Sequence, residues 1–144
     1  MTADVRLTPE LLCTDIDRSL AFYTGILGFS IAYQRPEEGF AMLERQGVRL
    51  MLDQMDTGAD SRTWAAGPLD YPFGRGMNLQ IQTTDVAALY NAVQDAVCPV
   101  FLPLEEKWYR ADNVYVGNRQ FIVLDPDGYM LRFFEDAGVR AAPP

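Results

Sequence analysis

The chain has 144 residues, 49% of them hydrophobic, with a formal net charge of −8 and no histidine. That length suits one domain, or two half-size modules sharing a core. The excess of carboxylates repels phosphate backbones and so argues against a nucleic-acid partner, and no apolar run nears the ~20 residues of a membrane span.

The N-terminus lacks the basic start and apolar stretch of a signal peptide, so the cytoplasm is the expected location. Cys13 and Cys98 read as buried thiols of a reducing compartment rather than a disulfide.

An alternating strand over 7–14 comes first, with Leu7, Pro9, Leu11 and Cys13 on one face and Thr8, Glu10 and Leu12 on the other. Asp15 or Asp17 is the expected N-cap of a helix whose apolar stripe is Ile16, Leu20, Tyr23 and Leu27, with Gly28 as its C-cap. Strands follow at 29–35, 40–45 and 48–55, joined by Pro36-Glu37-Glu38-Gly39 and Gln46-Gly47. Residues 1–56 thus read as a βαβββ module. The connector, 57–76, is rich in Gly and Pro and holds Trp64, Tyr71 and Phe73. A loop of that length is usually functional or part of an interface.

The pattern then repeats: Ile81-Gln82-Thr83-Thr84-Asp85-Val86 restates Leu11-Leu12-Cys13-Thr14-Asp15-Ile16. Such self-similarity implies two copies of one supersecondary unit. A strand over 77–84 leads to a helix over 86–97, with Val86, Leu89, Tyr90, Val93 and Val97 inward, broken by Cys98-Pro99. Then come a strand around 100–104, an aromatic segment Lys107-Trp108-Tyr109-Arg110, a turn region over 113–117 and a strand over 119–124. The turn Asp125-Pro126-Asp127-Gly128 leads to a strand over 129–135. The second module is 77–136, and 137–144 is a flexible tail.

Alternation sorts the strands into two faces. Asn78, Gln80 and Gln82 oppose Met77, Leu79, Ile81 and Thr83; Met130, Arg132 and Phe134 oppose Tyr129, Leu131, Phe133 and Glu135; Arg49, Met51, Asp53 and Met55 oppose Val48, Leu50 and Leu52. The expected fold class is therefore α+β, two βαβββ modules forming a curved mixed sheet. Each module has a helix-covered apolar face and a mixed face, and the mixed faces enclose a cleft. An inward Arg132 needs a partner: Asp53 or Glu10, or else a ligand carboxylate.

The missing histidine removes the commonest metal ligand and acid–base group and leaves no imidazole to activate a thiol. What remains suits binding. Phe40, Trp64, Trp108 and Tyr109 can stack on a flat cationic ring, and Asp53, Asp60, Glu105 or Glu106 can meet positive groups. Each also has a plain structural role: core or dimer packing for Trp108 and Tyr109, anchoring the connector for Trp64, a solvated turn for Glu105-Glu106.

The run Asp15-Ile16-Asp17-Arg18-Ser19-Leu20-Ala21-Phe22-Tyr23-Thr24-Gly25-Ile26-Leu27-Gly28-Phe29 resembles the opening helix of the vicinal oxygen chelate superfamily. Phe121-Ile122-Val123-Leu124-Asp125-Pro126-Asp127-Gly128-Tyr129 resembles its closing hairpin. That superfamily holds glyoxalase I, extradiol dioxygenases, fosfomycin resistance enzymes and bleomycin resistance proteins. The resemblance spans nearly the whole chain and implies the glyoxalase/bleomycin resistance fold and a cleft-forming homodimer. In its metal-using members a ligand comes from the first and last strand of each module. The matching positions here are Thr8, Met51, Asn78 and Arg132, none of them a normal ligand for a hard or borderline divalent cation.

Without a metal the resemblance points to the bleomycin resistance branch, which Tyr71-Pro72-Phe73-Gly74-Arg75-Gly76-Met77-Asn78-Leu79-Gln80-Ile81 and Glu105-Glu106-Lys107-Trp108-Tyr109-Arg110 also resemble. The expected protein is metal-free and cofactor-free, without a catalytic residue. It sequesters a cationic, aromatic, bleomycin-like molecule in a dimer cleft lined by Phe40, Asp53, Trp64, Asn78, Gln80, Trp108, Tyr109 and Arg132. The alternative is a glyoxalase-, epimerase- or dioxygenase-like lyase or isomerase with Tyr109, Tyr115 or Asp53 as acid–base group; a partner-binding module is a third possibility. Whether modules pair within one chain or are exchanged between two is left open by the sequence.

Overall fold

The computed structural model describes residues 4–55 and 64–144. Residues 57–63 of the expected connector, Asp60 among them, lie outside the described residues. The chain divides into two compact units, Met1–Phe73 and Gly74–Pro144.

The first unit runs β1 (Glu10–Cys13), α1 (Ile16–Leu20) with a π-helical continuation (Ala21–Ile26), β2 (Ser30–Arg35), a 3-10 turn (Pro36–Glu38), β3 (Phe40–Arg45) and β4 (Val48–Gln54). The second runs β5 (Asn78–Gln82), α2 (Val86–Asp95), β6 (Val100–Ala111), β7 (Val114–Leu124) and β8 (Met130–Arg140). Strand order is β1-β4-β3-β2 in one sheet and β5-β8-β7-β6 in the other. In both, the first strand runs parallel to the last and the remaining pairs are antiparallel. The duplication legible in the sequence is thus a duplication of topology, and the α+β class of two βαβββ units holds. Among the described residues no helix is long and apolar enough to cross a membrane.

Each helix starts where its aspartate predicts. Asp15 accepts from the backbone N–H of Asp17 and Arg18 at 3.0 and 3.2 Å, and Asp85 from that of Ala88 at 3.0 Å. A second cap reaches in from the sheet. Gln54 Oε1 accepts from Ile16 N at 2.9 Å, and Glu135 Oε1 from Val86 N at 3.1 Å. Both acceptors sit at equivalent places on the last strand of their unit, and each satisfies a helix-start donor that the turn cannot pair.

The first helix departs from the expected stripe. Its hydroxyl-bearing Thr24 donates to the Leu20 carbonyl at 2.6 Å, and Leu27 N pairs with the Phe22 carbonyl five residues back, widening the turn. The wider turn brings Ser19 and both Phe22 and Tyr23 inward with Leu27, and leaves Ile16 and Leu20 half-buried. Tyr23 packs edge-on against Phe22 and Phe29. Gly28 ends the helix at φ 81°, a left-handed position that glycine takes without strain. In the second unit α2 stops at Asp95, and Val97, expected inward, is exposed at φ 56°. Leu11, Cys13, Leu43, Leu50 and Leu52 complete the first core; Ile81, Val86, Val93, Phe121, Leu131 and Phe133 form the second. Full burial of such side chains contributes about 1.5–3 kcal/mol each.

The second sheet is longer than the sequence suggests. β6 continues through the aromatic segment to Ala111, and β7 begins at Val114, so the region over 113–117 is mostly strand, not turn. β8 extends to Arg140, pairing residues 138–140 with β7 where a flexible tail was expected. Pro103 falls in β6 where the ladder register shifts, as a proline in an edge strand must.

Candidate functional site

Strand register fixes which side chains share each mixed face. On the first sheet Glu10 and Leu12 of β1 lie beside Met51 and Asp53 of β4, which face Met42 and Phe40 of β3, which in turn face Tyr33 and Arg35 of β2. The Phe40 ring is buried, carries the Arg35 guanidinium at 4.0 Å from its centroid, and has Tyr33 at 6.1 Å. Glu38 holds Arg35 in place at 2.6 Å. Next to this stack Glu10 and Asp53 are diagonal carboxyl neighbours across the β1–β4 pair. Burial, then the neighbouring Asp53 charge and hydrogen bond, pushes Glu10 above the usual carboxylate range. Burial also raises Asp53, against the opposing pull of the Glu10 hydrogen bond and the Arg35 charge.

A separate cleft of about 510 Å³ opens between the start of α1 and the Pro36–Glu38 turn, with Ile16, Leu20 and Phe40 as its apolar wall and Asp17 and Glu37 as its charges. Phe40 is the single sequence-predicted site residue lining it.

On the second sheet Asn78, Gln80 and Gln82 of β5 lie beside Met130, Arg132 and Phe134 of β8, and Ile122 and Gln120 of β7 lie opposite Arg132 and Phe134. Arg132 Nη2 donates to Gln80 Oε1. An amide of its own sheet therefore supplies one partner for the guanidinium, where Asp53, Glu10 or a ligand carboxylate was expected. Gln120 Nε2 donates to the Tyr109 hydroxyl at 2.7 Å, which brings Tyr109 to this same face.

Trp108, one residue away, points to the other face, as alternation along a strand requires. Its indole lies on Gly117, where a built Cβ would come within 2.7 Å of the ring. Arg140 stacks over it at 4.1 Å and its Nε1 donates to Glu106 at 3.1 Å. Trp64 is exposed. Of the eight residues singled out from sequence, Phe40 and Asp53 meet on one mixed face, and Asn78, Gln80, Tyr109 and Arg132 share the other. Gln120 was missed as a site member, and Glu10 was expected only as a partner for Arg132. Gln120 was readable from alternation, because it stands out of phase with the buried Phe121 and Val123.

The four positions that the resemblance sets against metal ligands, Thr8, Met51, Asn78 and Arg132, carry a hydroxyl, a thioether, an amide and a guanidinium. That donor set does not fit a divalent cation, and an arginine repels one. Among the described residues no three His, Cys, Asp or Glu side chains gather to hold a metal ion.

The sequence pattern of the Glyoxalase/Bleomycin resistance protein/Dioxygenase superfamily matches residues 6–133. A bleomycin resistance protein of Geobacillus stearothermophilus is 26% identical over 136 residues, covering 88% of this chain and 93% of the relative, and one from Staphylococcus aureus (strain MRSA252) matches equally. Among solved structures, TioX from Micromonospora sp. ML1 superposes with a TM-score of 0.68 at 21% identity, covering 92% of this chain and 98% of TioX. A protein of unknown function from Agrobacterium tumefaciens str. C58 does so at 0.65 and 24%, covering 94% and 96%. The repeated βαβββ topology and a match over nearly its whole length establish that this chain belongs to the Glyoxalase/Bleomycin resistance protein/Dioxygenase superfamily.

Proposed function

We propose that this protein sequesters a cationic, aromatic small molecule and leaves it chemically unchanged, acting as a metal-free cytoplasmic homodimer. The observation that carries the reading is the chemistry of the four ligand-equivalent positions: Thr8, Met51, Asn78 and Arg132 can grip an organic molecule but cannot bind the electrophilic cation that isomerisation or ring cleavage needs. Supporting it are the net charge of −8, the Phe40–Asp53 face with its carboxyl pair, and the likeness to bleomycin resistance proteins. An aromatic ring stacked beside Phe40 with a cationic group on Asp53 combines dispersion with charge complementarity. The thiols of Cys13 and Cys98, not joined in a disulfide, suit a reducing compartment.

Titration calorimetry with bleomycin, run alongside sedimentation velocity, tests the reading. Saturable heat from a dimer supports it. No heat at tens of micromolar protein, with the dimer intact, removes that ligand. Anomalous scattering from a metal chelated by side chains overturns the metal-free claim.

One observation favours a second reading, a lyase or isomerase. The Glu10–Asp53 pair is a carboxyl held above its usual range by burial, which is how proteins make a general acid or base. Turnover of a substrate by the purified protein, abolished in Asp53→Asn, would select it.

A further inference from the structure

We infer that the mixed face of the second sheet recognises a carboxamide, a neutral group presenting a carbonyl oxygen and an N–H side by side, between Arg132 and Gln120. The inference rests on the reading that this face takes a small molecule and specifies which group it grips there.

Gln120 is 2% exposed, and its amide nitrogen is committed to the Tyr109 hydroxyl, yet its buried Oε1 has no partner among the described residues. Arg132 commits Nη2 to Gln80, and its buried Nε likewise has no partner among the described residues. A buried donor or acceptor left unmade carries its full desolvation penalty, and each such group in a folded protein calls for an explanation. These two are of opposite kind and belong to neighbouring strands. Gln120 faces Phe134 and Ile122 faces Arg132, so Gln120 and Arg132 are diagonal neighbours across the β7–β8 pair, within reach of long side chains.

The combination selects among ligand groups. A carboxylate satisfies the Arg132 donor but meets the Gln120 carbonyl oxygen lone pair to lone pair. An ammonium satisfies Gln120 and is repelled by the guanidinium. A carboxamide accepts from Arg132 Nε and donates to Gln120 Oε1 at once, with no net charge to desolvate. Ile122 and Phe134, on the same face, supply an apolar flank for a ring attached to that carboxamide.

The probe is benzamide, compared with benzoate, added to the full chain labelled with 15N, reading the Arg132 Nε–H resonance. That signal is assigned by its loss in Arg132→Lys. Benzamide is expected to shift it saturably while benzoate at equal concentration does not. Gln120→Leu should weaken benzamide about tenfold, one hydrogen bond's worth. If Gln120→Leu fails to fold, Arg132→Lys, read through backbone amides of β7 and β8, should show the same loss. Benzoate shifting the signal as strongly marks an anion site and overturns the inference, as does no shift with either probe. Bleomycin binding without a benzamide effect sinks the carboxamide subsite and spares the proposed function; a benzamide effect without bleomycin binding does the reverse.

Discussion

Glu10 and Asp53 are diagonal neighbours across the parallel β1–β4 pair, two residues out of register, with Glu10 level with Met51 and Asp53 with Leu12. Both titrate above their ordinary values of 4.5 and 3.8, with burial as the largest cause. A carboxyl whose folded pKa is raised binds its proton more tightly when folded. Its stabilisation is therefore complete below the ordinary value and lost as pH rises through the folded one. Glu10→Gln removes one of two neighbouring carboxylate charges and leaves an amide able to donate to Asp53. It should be more stable than the parent by about 0.5 kcal/mol at about pH 7 and indistinguishable at about pH 4. Urea melts at both pH values measure this; an equal difference at the two would show that the two carboxyls do not repel each other.

Gly117 is fixed by its neighbour. The Trp108 ring occupies the space where a side chain at 117 would stand, with three ring atoms 2.7–2.8 Å from the Cβ position. Gly117→Ala must push the indole off the sheet and out from under Arg140. A cost of about 1–3 kcal/mol is expected, typical of overpacking. In a Trp64→Phe background the emission of Trp108 should shift to the red as the ring meets water. Retained stability with unshifted emission would mean that the stack is not a structural element.

Because Trp108 and Tyr109 project from opposite faces of β6, they should behave differently toward a ligand of the mixed faces. Phe40→Ala or Asp53→Asn is expected to weaken binding of a cationic aromatic ligand about tenfold, the scale of one stacked ring or one charge-assisted contact. Trp108→Ala should leave affinity within about twofold. Calorimetry on the three variants decides the matter, and a loss in Trp108→Ala equal to that in Phe40→Ala would relocate the ligand to the opposite face.

The topology and most strand faces were legible because they rest on local periodicity. Leu50 and Leu52 against Met51 and Asp53, or Leu131 and Phe133 against Arg132, alternate as a half-buried strand must. Two kinds of feature escaped. Glycine and asparagine between 113 and 118 read as a turn because glycine usually punctuates, whereas Gly117 is needed inside a strand for the close approach of an indole from the neighbouring strand. The π-helical turn escaped because a single i−5 bond, Leu27 N to the Phe22 carbonyl, shifts the helical phase partway along, so the expected inward Leu20 gives way to Phe22. At the site, Phe40, Asp53 and Arg132 were visible as unusual residues on a face, but their partners were not. Glu10 for Asp53 and Gln80 for Arg132 follow from the pairing of β1 with β4 and β5 with β8, a non-local choice that no single strand records.

The paired caps from the sheets are another such non-local feature. Gln54 and Glu135 each bond the first N–H of the helix in their own unit, at 2.9 and 3.1 Å. Gln54→Ala should therefore cost about 1 kcal/mol, as loss of an N-terminal helix acceptor does. Glu135→Ala should cost somewhat more, since a carboxylate also favours the positive end of α2; its ion pair with Arg119, long at 3.7 Å and partly exposed, adds little. Glu135→Gln keeps the acceptor and should recover most of the loss. The two caps share no partner, so the double alanine variant should be additive to within about 0.5 kcal/mol. Chemical denaturation of the four variants provides the test, and a Glu135→Gln as unstable as Glu135→Ala would assign the effect to charge rather than to the cap.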